Sequence, residues 1–185
     1  ATYDRTNNSF VAYNNIKIIE NDSLELFGDS LHYFGDEQKA LIYGNVRVIT
    51  QDIYIETPSL TFLQKEKTAY YFQTGTINQK SEGYTINSQE GIFKTKINTI
   101  FFKKNVKLNH PEYDIFSDTL IYNTELQNTK IIGKTKITTK NSIINCEKGW
   151  FNNKTNQSSL KGNINIESDH HTLFADSIYY NETSG

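Results

Sequence analysis

The chain has 185 residues, of which 36% are hydrophobic and 13% aromatic, and 19 Lys and Arg against 21 Asp and Glu leave a net charge of −2. That charge offers no basic field for a nucleic-acid backbone, and apolar runs as short as Ala69–Phe72 exclude a membrane-spanning helix. The single Cys146 excludes a disulfide framework and paired-cysteine zinc sites, while 12 Tyr, 11 Phe and only 2 Pro favour strands.

Taken in chain order, a short element closing on an aromatic residue recurs. After a partial copy at Tyr3 come Asp29–Tyr33, Pro58–Phe62, Gln89–Phe93, Asp118–Tyr122, Glu147–Phe151 and Asp176–Tyr180. From Tyr33 onward the closing aromatics stand 29, 31, 29, 29 and 29 residues apart, the regularity of a repeat architecture. Seven residues before each aromatic lies an aliphatic one: Leu26, Ile55, Ile86, Ile115, Ile144 and Leu173. Five before it lies a small one: Gly28, Thr57, Ser88, Ser117, Cys146 and Ala175. Alternate strand residues share a face, so these two columns lie together and the aromatic column has the opposite parity. A parity switch within one strand predicts a bulge or corner, with the small column where backbones approach closely.

The second half of each copy is equally regular. Polar turns are predicted at Gly35–Gln38, Gln64–Lys67, Thr95–Asn98, Asn123–Leu126 and Asn152–Thr155. The strand after each turn is interrupted by a polar or glycine pair: Asn14-Asn15, Gly44-Asn45, Gly75-Thr76, Lys104-Asn105, Gly133-Lys134 and Gly162-Asn163. Each pair marks an expected bulge. Alternating apolar residues follow: Ile16 and Ile18, Val46 and Val48, Val106 and Leu108, Ile164 and Ile166, with Ile77 and Ile137 in matching slots. Two long bent strands per copy predict about a dozen antiparallel strands in an all-β array, read as one domain over residues 1–185. The missing Met and the stop at Asn181–Gly185, where another strand is due, lead us to expect a piece of a longer product, its lost leader a candidate signal peptide.

The repeat unit resembles that of the OstA family, most clearly over Asp29 to Val48 and Asp118 to Ile137, with Gly44-Asn45-Val46 and Gly162-Asn163-Ile164 as the glycine-turn signature. The resemblance runs from Tyr3 to Tyr180, and the Asn-, Ile- and Lys-rich composition is similar to OstA-like proteins of Bacteroidetes type. It implies an elongated, twisted, open β-jellyroll in the periplasm, with an association to the outer membrane in view, that takes part in lipopolysaccharide transport. It also implies that acyl chains of lipid A lie in an interior groove. The groove candidates are Ile16, Ile18, Leu26, Val46, Val48, Ile55, Ile77, Ile86, Val106, Leu108, Ile115, Ile137, Ile144, Ile164, Ile166 and Leu173. The partners implied are lipopolysaccharide and other jellyrolls of the kind, or a second copy, joined through terminal strand edges. Lys130 and Ser159, set in one column with Val11, Leu41, Phe72 and Phe101, lead us to expect that the lining thins toward the C-terminus.

The remaining residues invite blander readings. Asp29, Asp118, Glu147 and Asp176 recur by repeat symmetry and read as solvated carboxylates rather than the converging pair of a glycosidase. His170 and His171, as strand neighbours, would point to opposite faces and make a poor metal site. His32 and His110 read as surface residues, Cys146 as a buried inert thiol and Trp150 as packing. No phosphate loop, nucleophile elbow or metal-helix motif is present, so no catalytic residue, metal or cofactor is assigned. Two readings compete with carriage: a lipid-free structural scaffold with a packed core, and, ranked last, a polysaccharide enzyme of the repetitive β type.

Overall fold

The computed structural model describes residues 1–20, 24–81 and 83–181. They form one sheet of 13 antiparallel strands, each paired with its sequence neighbours so that strand order equals chain order. The strands are β1 (Thr2–Asp4), β2 (Ser9–Glu20), β3 (Leu24–Phe34), β4 (Lys39–Thr50), β5 (Ile53–Leu63), β6 (Thr68–Gln79) and β7 (Tyr84–Lys94). After a 3₁₀ turn at Thr95–Ile97 come β8 (Thr99–Asn109), β9 (Tyr113–Asn123), β10 (Asn128–Thr139), β11 (Ser142–Asn152), β12 (Gln157–Ser168) and β13 (Thr172–Asn181). The expected jellyroll of antiparallel strands is present, and among the described residues no helix is long and apolar enough to cross a membrane.

The polar segments make four-residue turns at 35–38, 64–67 and 95–98 as expected, and at 124–127 and 153–156, one residue later than expected. Each closes on a left-handed residue: Gln38, Lys67, Asn98, Gln127 and Asn156, with Asn8 doing the same in the first hairpin. The carbonyl of that residue then accepts a hydrogen bond from the first amide of the next turn. Gly35 donates to Asn8 at 2.8 Å, Gln64 to Gln38 at 2.9 Å, Thr124 to Asn98 at 2.8 Å and Asn153 to Gln127 at 3.1 Å. The turns are thereby stacked like the strands, which holds the period nearly constant along the array.

Almost every strand pair shows a register shift at mid-length, for instance between Phe27 and Ser30 of β3 and between Tyr43 and Val46 of β4. These are the predicted corners. Left-handed backbone occurs at Asn14–Asn15, Gly44–Asn45, Lys104–Asn105, Gly133 and Gly162–Asn163. The recurring carboxylates are part of this device. Asn45 Nδ2 donates to Asp29 Oδ2 at 2.8 Å and Asn163 Nδ2 to Glu147 Oε1 at 2.6 Å. At Lys104 the bulge is held instead by Glu90, 2.6 Å away. Where Pro58 replaces the acid, the corner of the next strand keeps its place: Gln73, eleven residues after Phe62, is left-handed, as Gly44 is eleven after Tyr33, and Gly75 is not. Gly75 serves a different need, since a Cβ there would lie 2.3 Å from the Tyr71 ring. The bulge expected at Gly75-Thr76 thus lies two residues earlier, at Gln73-Thr74, because each corner keeps its distance from the preceding aromatic and the 31-residue spacing of this copy puts its extra residues after the corner.

Ile42, Val46, Tyr71, Phe102, Leu120, Ile131 and Ile164 are each about 1% exposed. One open sheet leaves both faces to water, so burial this complete requires a second layer. Among the described residues no second sheet or long helix provides it. The cover is the other half of the same sheet, folded over at the line of corners, and the core lies between the two halves.

Candidate functional site

The aliphatic column and the apolar pairs meet in one continuous ladder. Direct cross-strand partners run Ile18, Leu26, Val48, Ile55, Ile77, Ile86, Leu108, Ile115, Ile137, Ile144, Ile166 and Leu173, one from each of β2 to β13. The other candidates line the corner, each opposite a member of the small column. Ile16 faces Gly28, Val46 faces Thr57, Val106 faces Ser117 and Ile164 faces Ala175. Close approach at a bend is why small residues recur there. All 16 candidates thus stand on the inner face, brought together by two adjacent rows.

Their exposure is uneven. In mid-array the ladder is sealed, with Ile86 and Ile115 each 2% exposed. At the ends it opens, to 37% at Ile18 and 48% at Leu173. Strand β1 spans only three residues and covers only the start of β2, and β13 has no strand beyond it among the described residues. In mid-array these residues are buried within the packed core rather than facing an open trough.

Two inner rows escaped sequence reasoning. Leu31, Leu60 and Leu120, two residues before the closing aromatic, are buried, as are Ile42, Tyr71, Phe102 and Ile131, nine after it. Their signal was the same alternation, read on the far side of the parity switch. The closing aromatics belong to this half too, each facing a small or short residue, as Tyr33 and Phe62 face Ala40 and Phe62 and Phe93 face Ala69. Lys130 was placed in the wrong row. It pairs with Ile121 and Trp150 on the outer face, whereas its neighbour Ile131 is buried inside. The expected thinning of the lining at that copy is therefore withdrawn. Ser159, also on the outer row, lies between Trp150 and Tyr179, whose rings are 6.5 Å apart.

Cys146 is buried at the corner, where desolvation pushes its thiol above the ordinary range. Tyr71, in the core of β6, donates to or accepts from Ser88 Oγ at 2.6 Å, and burial pushes its hydroxyl up to about 12. His170 and His171 lie in the bend between β12 and β13, not within a strand, so the opposite-faces reasoning does not apply. Among the described residues no cluster of His, Cys, Asp or Glu has the grouping of a metal site. His32 is half-buried against the Phe34 ring at 3.9 Å, and His110 stacks on Tyr113 at 4.4 Å.

Comparison with known proteins bears on this arrangement. A family model described as "OstA-like protein" matches residues 1–118. No curated protein matches the sequence. Among solved structures the chain is similar to the crystal structure of LptH from Pseudomonas aeruginosa, described as the LptA-homologous periplasmic component of the conserved lipopolysaccharide transport device. The two share 12% identity over 69% of this chain and 84% of that one, with a TM-score of 0.48.

Proposed function

The chain belongs to the family of OstA-like proteins, and we propose on that premise that it is a periplasmic component of lipopolysaccharide transport, a carrier rather than an enzyme. It shelters acyl chains of lipid A between its half-sheets, and it joins similar jellyrolls, or further copies of itself, end to end. Residues 1–185 act as one domain of repeats within a longer protein that forms the bridge. The observation that carries this reading is the aliphatic ladder unbroken from Ile18 to Leu173. An acyl chain lying along it gains roughly 0.8 kcal/mol per methylene removed from water, enough to hold a lipid in an aqueous compartment.

The acyl chains reach the ladder by parting the half-sheets. Away from the corners those halves meet through apolar side chains, so parting them breaks no backbone ladder. The candidates from Ile16 to Leu173 are the surface then exposed to lipid. The carboxylates of the corner column are engaged with Asn45 and Asn163, which supports a structural use for them. At the termini, exposed Leu173 and Phe174 on a ten-residue edge strand fit β-augmentation by a neighbour.

A lipid-free scaffold remains the second reading, and the tight filling at Ile86 and Ile115 favours it. A photo-crosslinker at either position separates the two. Carriage predicts covalent lipopolysaccharide there and none from labels at Gln64–Lys67; equal labelling of both sets rejects the interior path. Native mass spectrometry of the gently extracted protein gives an independent answer, because a scaffold carries no co-purifying lipid.

A further inference from the structure

The outer face carries a row that the interior does not explain. Lys17, Phe27 and Arg47 are successive cross-strand neighbours on β2, β3 and β4. Three repeats on, Lys107, Phe116 and Lys136 are successive neighbours on β8, β9 and β10. In each triple a phenylalanine stands between two cations on a solvent-facing surface. Lys17 Nζ and Arg47 Cζ lie 5.3 and 5.0 Å from the Phe27 ring centroid, a favourable pairing of cation with ring face. Phe116 is left 53% exposed, so core packing does not account for it.

The first triple lines a hollow, and Phe116 and Lys136 of the second line another. One of about 260 Å³ is lined by Lys17, Phe27 and Arg47, and one of about 430 Å³ by Phe116, Lys134, Lys136 and Asn145. The carboxylates nearby are partly committed elsewhere. Glu25 pairs with Lys17 at 2.9 Å, while Asp29 and Glu147 accept from the corner asparagines Asn45 and Asn163. The second hollow therefore presents two lysines beside an open aromatic face and an amide side chain, against one carboxylate already hydrogen-bonded.

We infer that these outer hollows are binding sites for an anionic sugar unit, a phosphorylated saccharide. Phe116 stacks on the apolar face of the sugar ring, Lys134 and Lys136 pair with its phosphate, and Asn145 bonds a hydroxyl. Neither a bare anion nor a neutral sugar uses both features. The two sites stand six strands apart, about 29 Å at roughly 4.8 Å per strand, so one extended saccharide engages both and binds with added avidity. The inference stands apart from lipid carriage: acyl chains would occupy the inner face, and the sugar occupies the outer one.

An NMR titration of the whole chain with glucose 1-phosphate, glucose or inorganic phosphate tests it. The expected result is saturable shifts at Phe116, Lys136 and Asn145 with glucose 1-phosphate, and binding at least about fivefold weaker for glucose and for phosphate. Phe116→Ser and the pair Lys134→Gln with Lys136→Gln, all at exposed positions, each weaken glucose 1-phosphate by at least about fivefold. Phe72→Ser, at an exposed ring that faces Glu90 on the next strand, leaves it unchanged. Phosphate binding as tightly as glucose 1-phosphate overturns the inference. So does a lysine pair needed for phosphatidylglycerol vesicles but indifferent to the sugar phosphate.

Discussion

Truncating the ladder at two places measures whether the interior is packed or open. Ile115→Ala removes three carbons from a side chain that is 2% exposed between Leu108 and Ile137. At roughly 0.8 kcal/mol per buried carbon the transfer loss is about 2.4 kcal/mol, and the cavity left behind raises it to about 3–4 kcal/mol. Leu173→Ala removes the same number of carbons at a position 48% exposed on the edge strand. Half the transfer term and no enclosed cavity give about 1 kcal/mol. Urea unfolding followed by far-ultraviolet circular dichroism reads both, as a shift of midpoint at constant slope. Hydrogen exchange of β8–β10 against β12–β13 checks that each loss is local, as expected for a quasi-one-dimensional array. A loss at Ile115 no larger than at Leu173 would refute the filled interior and point to a standing open groove.

Three further outcomes follow from the same geometry. Gly44 has φ +73° and a Cβ there would lie 2.3 Å from Asp29 Oδ2, so Gly44→Ala costs at least about 1–2 kcal/mol, and adding Asp29→Ala recovers the clash component in a double-mutant cycle. Tyr71→Phe forfeits the 2.6 Å bond to Ser88, a loss of about 1 kcal/mol by chemical denaturation at neutral pH. Because the folded Tyr71 hydroxyl is raised to about 12 from 10, its protonated form is favoured by folding. That contribution is complete below pH 10, falls by up to about 2–3 kcal/mol as pH rises through 12, and is absent from Tyr71→Phe. Lysine at both Leu173 and Ile178 on β13 lowers end-to-end association, read by sedimentation velocity at several concentrations; unchanged association would show that this edge is not the contact.

Much of the fold was legible because strand and turn preferences are local. The aromatic closing each copy, the polar turn after it and the asparagine or glycine in mid-strand all recur at nearly fixed spacing, and the strand boundaries follow them closely. The inner ladder was legible for the same reason, since alternation of Leu26 with Gly28, or Val46 with Val48, is a short-range pattern. The failures also have local causes. Reading the column of Leu41, Phe101 and Lys130 as lining ignored that each copy changes parity at its corner, which puts that column on the outer face, and Phe72 was set in it two residues from the true member, Tyr70. Gly75 looked like the counterpart of Gly44, but the spacing of 31 residues from Phe62 to Phe93 had put it two residues past the corner, which falls at Gln73.

The amino-acid order alone determined the period, the turns, the bend in each strand and which residues share a face, since these depend on backbone preferences within a few residues. Only the folded molecule decided how completely the two half-sheets close on each other. That depends on side chains brought together across the bend, such as Tyr71 over Gly75 and Gly91. It also decided that equivalent residues differ in exposure, buried at Ile115 and open at Leu173. Burial is set by what lies opposite, and at the last strand nothing does among the described residues.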